Sequence, residues 1–317
     1  MNTYLITGGT GSLGTALTKL LLSQGHKVRV LARSEHGHEK LQAQVPQDQK
    51  ARFSSLIGAV EDSGRLRRAV QGCDYVIHAA AQKAIPLAEY CPAECVATNI
   101  TGSLNVMNAC LDAGVKRAVL VSTDKASSPA TLYGGTKFVA ERLWLNANRY
   151  SAGKEPHFVA VRYGNVFASQ GSVVHAFQQQ AQYGALEITD PQCTRFHVTL
   201  PNAVAFVLSA LEGACAGELW VPKLPSYRIG DFAHAFSMVF GLKKQPTIIG
   251  LRLSEKLHES MISVDESSSL KAEEDGHFTL EPGVIHRKQG FAYTSGSNEW
   301  KLGVEALREE IKAWASL

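Results

Sequence analysis

The 317-residue sequence predicts an α/β protein: a doubly wound parallel sheet with a smaller C-terminal subdomain. Three observations predict it. Apolar runs of strand length alternate with amphipathic stretches of helical period through the first half of the chain, a βαβ rhythm that puts parallel strands between two layers of helices. Two of those runs, "YVIHAAA" and "RAVLVS", are apolar nearly throughout, as strands buried on both faces must be. A glycine-rich turn follows the first strand and opens the first helix.

Each element has its own signal. "TYLITGG" is the first strand, and Ser12 to Gln24 a helix with Leu13, Leu17, Leu20 and Leu21 on one face and Gly25 as its stop. "KVRVLAR" is the second strand, followed by a polar run from Ser34 to Lys50 that reads as loop with room for a helix. "ARFSSLIGAV" contains the third strand, "GRLRRAVQG" is a short helix ended by Gly72, and "DYVIHAAA" is the fourth strand. A long helix runs from Pro92 to about Asp112, "KRAVLVST" is the fifth strand, Leu132 to Arg149 a helix, and "HFVAVRYGNVF" the sixth strand. Beyond Phe167 the rhythm loosens, although "ELWVPK" reads as one more sheet strand. "DESSSLKAEEDG" reads as an exposed loop, and Gly303 to Ala315 as a final helix with Val304, Leu307 and Ile311 on one side.

Composition narrows the function. A formal net charge of +3 is too small to argue for nucleic acid or a membrane surface, and Arg65, Arg67 and Arg68 read as a solvated helix face. The N-terminus enters a strand at once, and no apolar run approaches the length of a membrane span, so a cytoplasmic protein is expected. Cys73, Cys91, Cys95, Cys110, Cys193 and Cys215 are scattered and read as reduced, mostly buried thiols. No metal site is expected, and His36 and His38, in the polar "SEHGHEK", are expected to face solvent.

"TGGTGSLG", Thr7 to Gly14, places glycines at 8, 11 and 14 between a strand and a helix. The same spacing occurs in ordinary strand-to-helix turns. Inside a βαβ unit it points to a dinucleotide fingerprint: a tight turn, close approach to a pyrophosphate, and helix N-terminal amides aimed at negative charge. The end of the second strand distinguishes the dinucleotides. A carboxylate there would bind the ribose 2′-hydroxyl; this chain has Ala32, Arg33 and Ser34. Arg33 can pair with a 2′-phosphate and Ser34 can donate to it, which favours NADP over NAD.

Tyr133 and Lys137 lie one helical turn apart on one face. A free tyrosine, with a pKa of about 10, is a poor base at neutral pH, and a nearby ammonium favours the phenolate. Such a pair can take a proton from an alcohol while its hydride leaves to a nicotinamide. The pair follows a strand ending in Ser122-Thr123, and active sites of open α/β sheets lie beyond the carboxyl ends of the strands.

At these residues the sequence resembles the extended short-chain dehydrogenase/reductases, with the Rossmann-type fold of that family. Within them it is similar to the UDP-N-acetylglucosamine 4,6-dehydratases of the C5-inverting, polysaccharide-biosynthesis type. The segments that carry the resemblance are "TGGTGSLG", "HAAAQKAIPLAEYCPAECVATNITGSLNVMNAC", "STDKASSPATLYGGTK", "VRYGNVFASQGSVV", "ITDPQCTRF", "GELWVPKLPS" and "IIGLRLSEKLHE". The resemblance implies an NADP-binding domain over residues 1–167, with 198–223 returning to it, and a mainly substrate-binding subdomain over 168–317. It implies a hydro-lyase acting on a UDP-sugar, UDP-N-acetylglucosamine, and a homo-oligomer. Oxidation at C4 acidifies the C5 proton; a base removes it, a neighbouring acid protonates the departing 6-hydroxyl, and the hydride returns to C6. On this reading Asp124 is the acid for O6 and Lys125 the base at C5, with Thr123, Tyr133 and Lys137 completing the catalytic group.

Further positions follow from the resemblance. Gly8, Thr10, Gly11, Ser12, Leu13, Gly14, Val60, Ala79, Ala80 and Ala81 line the cofactor. Lys83 faces both cofactor and substrate, and Asn99 stands behind the active site. Asn165, Arg195 and Arg252 meet the substrate diphosphate and Glu255 holds the nucleoside. The chain departs from the family pattern at Ala59, Ala84, His197 and "RLSEK"; the last three bear on substrate identity. Two other readings remain open at this point: a sugar-nucleotide 4-epimerase, which needs no acid–base pair after the fifth strand, and a non-catalytic NADP-binding sensor.

Overall fold

A computed structural model describes every residue except Gly153, Asp275, Lys288, Gln289 and Leu317. The first half runs β1 (Thr3–Thr7), α1 (Ser12–Ser23), β2 (Lys27–Ala32), α2 (Glu35–Ala43), β3 (Phe53–Ile57), α3 (Ser63–Val70), β4 (Tyr75–His78), α4 (Ile85–Tyr90), α5 (Pro92–Val96), α6 (Gly102–Ala113), β5 (Arg117–Val121), α7 (Leu132–Asn146) and β6 (His157–Val161). Then follow β7 (Asn165–Val166), α8 (Val173–Ala181), β8 (Glu187–Ile188), β9 (Thr194–Val198), α9 (Leu200–Gly213), β10 (Leu219–Pro222), β11 (Ser226–Arg228) and α10 (Ile229–Phe240). The chain closes with β12 (Thr247–Ile248), β13 (Ser260–Ile262), β14 (Leu270–Glu273), β15 (His277–Leu280), β16 (Tyr293–Thr294) and α11 (Val304–Ala315).

The main sheet has nine strands in the order β14-β15-β10-β6-β5-β4-β1-β2-β3. From β10 to β3 they are parallel; β15 and β14 join antiparallel at one edge. The sheet is therefore mixed rather than wholly parallel. Leu270–Glu273 and His277–Leu280, outside the segments expected to return to it, supply the added edge. "DESSSLKAEEDG" is accordingly not a loop throughout: it holds a 3-10 turn at Glu266–Ser269 and β14, although Asp265, Lys271, Glu273 and Glu274 are exposed. Ser267 and Ser269 are buried, donating to the Val264 and Glu266 carbonyls, and Leu270 is in the core. Short-range hydrogen bonds satisfy the polar run, so polarity does not mean exposure there.

Helix α1 packs beside α9 on one face of the sheet, and α3, α6 and α7 line the other. Between them lie Leu5, Ile6, Val28, Val30, Val76, Ile77, Val119, Leu120, Val159 and Val161, all buried. A second core, around Phe177, Phe232, Phe236, Leu307 and Ile311, holds α8, α10 and α11 together. His38 is buried, contrary to expectation: its Nε2 lies 3.0 Å from the Ala32 carbonyl, and its other ring nitrogen pairs with Ser55. The helix expected from Pro92 is interrupted by one π turn, Ala97–Thr101, before α6 ends at Gly114 in the left-handed conformation (φ 63°).

Candidate active site

In-register pairing sets Thr7 at the end of β1 beside Leu31 of β2 and His78 of β4. The glycine turn and Ala79–Ala81 therefore meet at the carboxyl edge of the sheet. Gly8 has φ +68°, and a Cβ on it would sit 2.8 Å from Ala80 Cα; a Cβ on Gly14 would sit 2.4 Å from Gly9 Cα. Gly11 caps α1 without a side-chain hydrogen bond, so the first-turn N–H groups of Ser12, Leu13 and Gly14 have no side-chain cap. This cradle fits a dinucleotide diphosphate. One strap crosses it: Gln170 donates its N–H to Ser12 Oγ at 3.1 Å and accepts from Lys83 Nζ at 3.1 Å.

At the far end of this groove Arg33 is exposed, and Ser34 is occupied in capping α2, its hydroxyl accepting the Gly37 N–H at 3.0 Å. The sequence shows no acid beside Arg33, but the fold supplies one: Glu61, just after β3, lies 4.0 Å from Arg33 Nη1. Glu61 also accepts the Thr98 hydroxyl. Val60 is buried against Gly102, where a Cβ would meet Val60 Cγ2 at 2.5 Å.

The catalytic candidates gather beyond β5. Asp124 opens a 3-10 turn pinned by its own N–H to the Tyr163 carbonyl at 3.1 Å, and its carboxylate is only 1% exposed. Asp124 Oδ1 accepts the Thr123 hydroxyl at 2.8 Å and Lys125 Nζ at 3.1 Å. Helix α7 starts at its Thr131 cap, whose hydroxyl accepts the Gly134 N–H at 3.1 Å. Gly134 lets the helix seat on the Lys125 backbone, since a Cβ would come 2.3 Å from the Lys125 carbonyl oxygen. Tyr133 and Lys137 are thereby buried on one face of α7.

The electrostatics differ from those expected of the Tyr-Lys pair. Burial pushes the Tyr133 phenol up to about 12, with Lys125 and a hydrogen bond to Thr123 pulling it down and Asp124 pushing it up. The cation acting on Tyr133 is thus Lys125. Lys137 Nζ donates to the Val121 carbonyl at 2.8 Å, and burial lowers its pKa to about 8 against the opposing pull of Glu141. Burial also works against the Lys125 ammonium, but Asp124 and Glu259 outweigh it, and Lys125 lies above the ordinary lysine value. Asn99 in the π turn accepts the Gln82 N–H and donates to the Gln82 carbonyl and to Thr136, tying the loop after β4 to α7 between Tyr133 and Lys137.

Of the substrate-side candidates, Arg195, Glu255 and Arg252 are joined by hydrogen bonds, and Asn165 lies in β7. Asn165 and Arg252 are exposed. Arg195, expected at a diphosphate, is buried and its guanidinium is engaged: Nη1 donates to the Thr194, Lys256 and Leu257 carbonyls and Nη2 to Glu255 Oε1 at 2.9 Å. Glu255, expected at the nucleoside, also accepts the Thr189 hydroxyl at 3.1 Å and the Arg252 N–H at 3.2 Å. The sequence reading misses Glu259, whose Oε1 lies 3.1 Å from Lys125 Nζ. It also misses Glu61 and Gln170. All three reach the site across long stretches of chain; Glu259 and Gln170 lie in "IIGLRLSEKLHE" and "VRYGNVFASQGSVV", but no local spacing assigns them a role. His197 is buried in β9 against Phe167, paired with Glu310 at 2.6 Å.

A glycine cradle at the end of β1, a Tyr-Lys pair on α7 and a strand order of 3-2-1-4-5-6 within the sheet define an extended short-chain dehydrogenase/reductase. Residues 4–281 match the family described as polysaccharide biosynthesis protein, and the chain belongs to that family. It is 44% identical to the UDP-N-acetylglucosamine 4,6-dehydratase (inverting) of Campylobacter jejuni, over 97% of this chain and 96% of that protein. It is 36% identical to the UDP-glucose 4-epimerase of Rickettsia canadensis, over 87% of this chain and 81% of that one. The X-ray structure of Pen from Bacillus thuringiensis superimposes with a TM-score of 0.91 at 32% identity, covering 98% of each chain.

Proposed function

We propose that the protein is an inverting UDP-N-acetylglucosamine 4,6-dehydratase, an NADP-dependent hydro-lyase that works in the cytoplasm as a homo-oligomer and serves glycan biosynthesis. The observation that supports this reading best is the Asp124–Lys125 pair beyond the end of β5, bonded to itself, with Asp124 buried and Lys125 partly buried. The protein's similarity to the Campylobacter jejuni dehydratase agrees with it. Residues 1–167, with 198–223, hold the dinucleotide, and 168–317 mainly hold the sugar nucleotide.

A nicotinamide dinucleotide bound in the cradle of Gly8 to Gly14 supplies the hydride acceptor for C4 and the hydride donor for C6. The other steps belong to side chains. Tyr133 accepts the proton of the 4-hydroxyl; Lys125, close enough to lower its pKa, favours the phenolate. Lys125 removes the C5 proton once C4 is a ketone, and Asp124 protonates O6 so that it leaves as water. Asn165 and Arg252 receive the diphosphate, and Lys83 faces both cofactor and substrate. Arg195 acts behind them, holding Glu255 at the nucleoside side. Among the described residues no three His, Cys, Asp or Glu side chains are grouped to hold a metal, and no helix is long and apolar enough to cross a membrane.

The 36% identity to a UDP-glucose 4-epimerase favours a second reading, epimerisation at C4 by the same Tyr133 and Lys137. Incubation with UDP-N-acetylglucosamine and mass spectrometry of the product separates the two. Loss of one water is the expected result; an isomeric product would overturn the dehydratase reading.

A further inference from the structure

The ammonium of Lys125 stands midway between two buried carboxylates, 3.1 Å from Asp124 Oδ1 and 3.1 Å from Glu259 Oε1. The two acids come from distant parts of the chain: Asp124 follows β5, and Glu259 precedes β13. Each keeps one buried oxygen, Asp124 Oδ2 and Glu259 Oε2, without a hydrogen-bond partner among the described residues. Arg195 Nε approaches the same oxygen, Glu259 Oε1, to 3.9 Å, with the rest of its guanidinium held by Glu255 and three carbonyls. Lys256 gives its ammonium to the Ser127 and Ser128 carbonyls, and Tyr133 and Tyr227 are the phenols that sense Lys125.

This arrangement resolves a difficulty in using a lysine as a base. In the resting state one ammonium faces two carboxylates. Moving a single proton from Lys125 to Asp124 gives a neutral amine and a neutral acid, the two forms that dehydration needs, and takes nothing from solvent. With Asp124 neutral and no other carboxylate nearby, the ammonium formed on taking the C5 proton would have only the transient enolate as its counterion, a costly state for a charge largely shut from water. Glu259 removes that cost.

We propose that Glu259 is the positioning residue of the C5 step: its carboxylate stays ionised through the cycle, orients the Lys125 amine by a hydrogen bond, and is the counterion of the ammonium that forms when Lys125 takes the C5 proton. This rests on the dehydratase reading. The protons and electrons balance. Lys125 passes one proton to Asp124. The freed lone pair takes the C5 proton, and the C5–H electrons move into the enolate toward the C4 oxygen. Those electrons then expel O6, which leaves as water with the proton from Asp124. The Asp124 carboxylate and Lys125 ammonium are restored, and Glu259 has exchanged nothing.

Glu259→Gln keeps the shape and an acceptor oxygen and removes the charge. In heavy water, entry of deuterium at C5 should fall by about 10²-fold or more, while C4 oxidation, read as transient absorbance at about 340 nm, persists. In cofactor-free protein, Lys125 should acylate faster at about pH 9, by about tenfold for each unit its pKa falls, as read by peptide mass spectrometry. Glu259→Asp, which keeps the charge, should recover part of the exchange. The proposal is overturned if Glu259→Gln exchanges C5 at the parent rate, or if it loses C4 oxidation and C5 exchange equally, the mark of a merely structural role. If the Gln variant does not fold, a folded Glu259→Ser protein, which also lacks the charge, overturns it as well if it exchanges C5 at the parent rate. A parent enzyme that only epimerises and never exchanges C5 removes the dehydratase reading and this proposal together. A parent that dehydrates beside an indifferent Glu259→Gln removes this proposal alone.

Discussion

Arg162 Nη2 lies 2.6 Å from Glu141 Oε2, and each side chain is 1% exposed. Arg162 also reaches Glu266 Oε1 at 2.8 Å and the Met261 carbonyl at 2.7 Å, while Glu266 Oε2 accepts the Ser127 hydroxyl at 2.8 Å. Glu141 sits one turn beyond Lys137 on α7, and Ser127 ends the turn that bears Asp124 and Lys125. One guanidinium thus joins the helix of the Tyr-Lys pair, the acid–base turn and the segment leading into β14. Arg162→Met should cost about 3–5 kcal/mol, because it strands the buried Glu141 carboxylate and takes from Glu266 its nearest cation, leaving it Arg142 at 3.9 Å. Urea unfolding of the cofactor-free protein measures this; a loss below about 1 kcal/mol would show that the two acids find other partners or protonate readily.

Tyr133→Phe removes the group that accepts the 4-hydroxyl proton and leaves the packing of α7 intact. With substrate and NADP present, no transient absorbance should grow at about 340 nm, a loss of at least 10²-fold in the oxidation rate. The parent rate in the Phe variant would show that Tyr133 is not the first base.

At the adenosine end, Arg33→Ala should weaken NADP binding by about 1.5–3 kcal/mol, the scale of a charged hydrogen bond, and leave NAD nearly unchanged. The structure adds a second arm. Glu61, 4.0 Å from Arg33, competes with a 2′-phosphate for the guanidinium, so Glu61→Gln should tighten NADP several-fold without tightening NAD. Titration of both dinucleotides against both variants tests this; equal changes for NADP and NAD would remove Arg33 as the selector.

What was legible in the sequence was what lies close along the chain. The glycines at 8, 11 and 14, the one-turn spacing of Tyr133 and Lys137, and the adjacent Asp124 and Lys125 carry their geometry in their spacing. Strands β1, β2, β4, β5 and β6 announce themselves by apolar runs. Glu259 and Glu61 do not: each is an ordinary polar residue until folding brings it across more than one element to Lys125 or Arg33. Arg195 shows the converse, since its motif suggests a ligand contact and its surroundings supply carbonyls and Glu255 instead. Ser267 and Ser269 mislead because local hydrogen bonds let a polar run enter the interior.

Lys137 provides a last test, in which function works against stability. Its pKa is about 8 in the folded protein, against 10.5 for an ordinary lysine, with burial as the main cause and Glu141 opposing. Between those values the unfolded chain binds more protons than the native one, so stability rises with pH across the window. Below about pH 8 both states are protonated and the cost of burying the ammonium is complete, on the order of 3 kcal/mol. In return Lys137→Met loses the hydrogen bond to the Val121 carbonyl and the attraction of Glu141, which the net shift already includes. The variant should therefore be inactive but at least as stable as the parent near pH 7. The sharper expectation concerns the slope. From about pH 7 to about pH 9.5 the parent should gain about 2 kcal/mol relative to Lys137→Met, since the other titrating groups cancel in the difference. Urea unfolding of the two cofactor-free proteins at both pH values reads this directly. A difference that stays flat would mean that Lys137 keeps an ordinary lysine pKa, and that its ammonium is not held at a cost next to the active site.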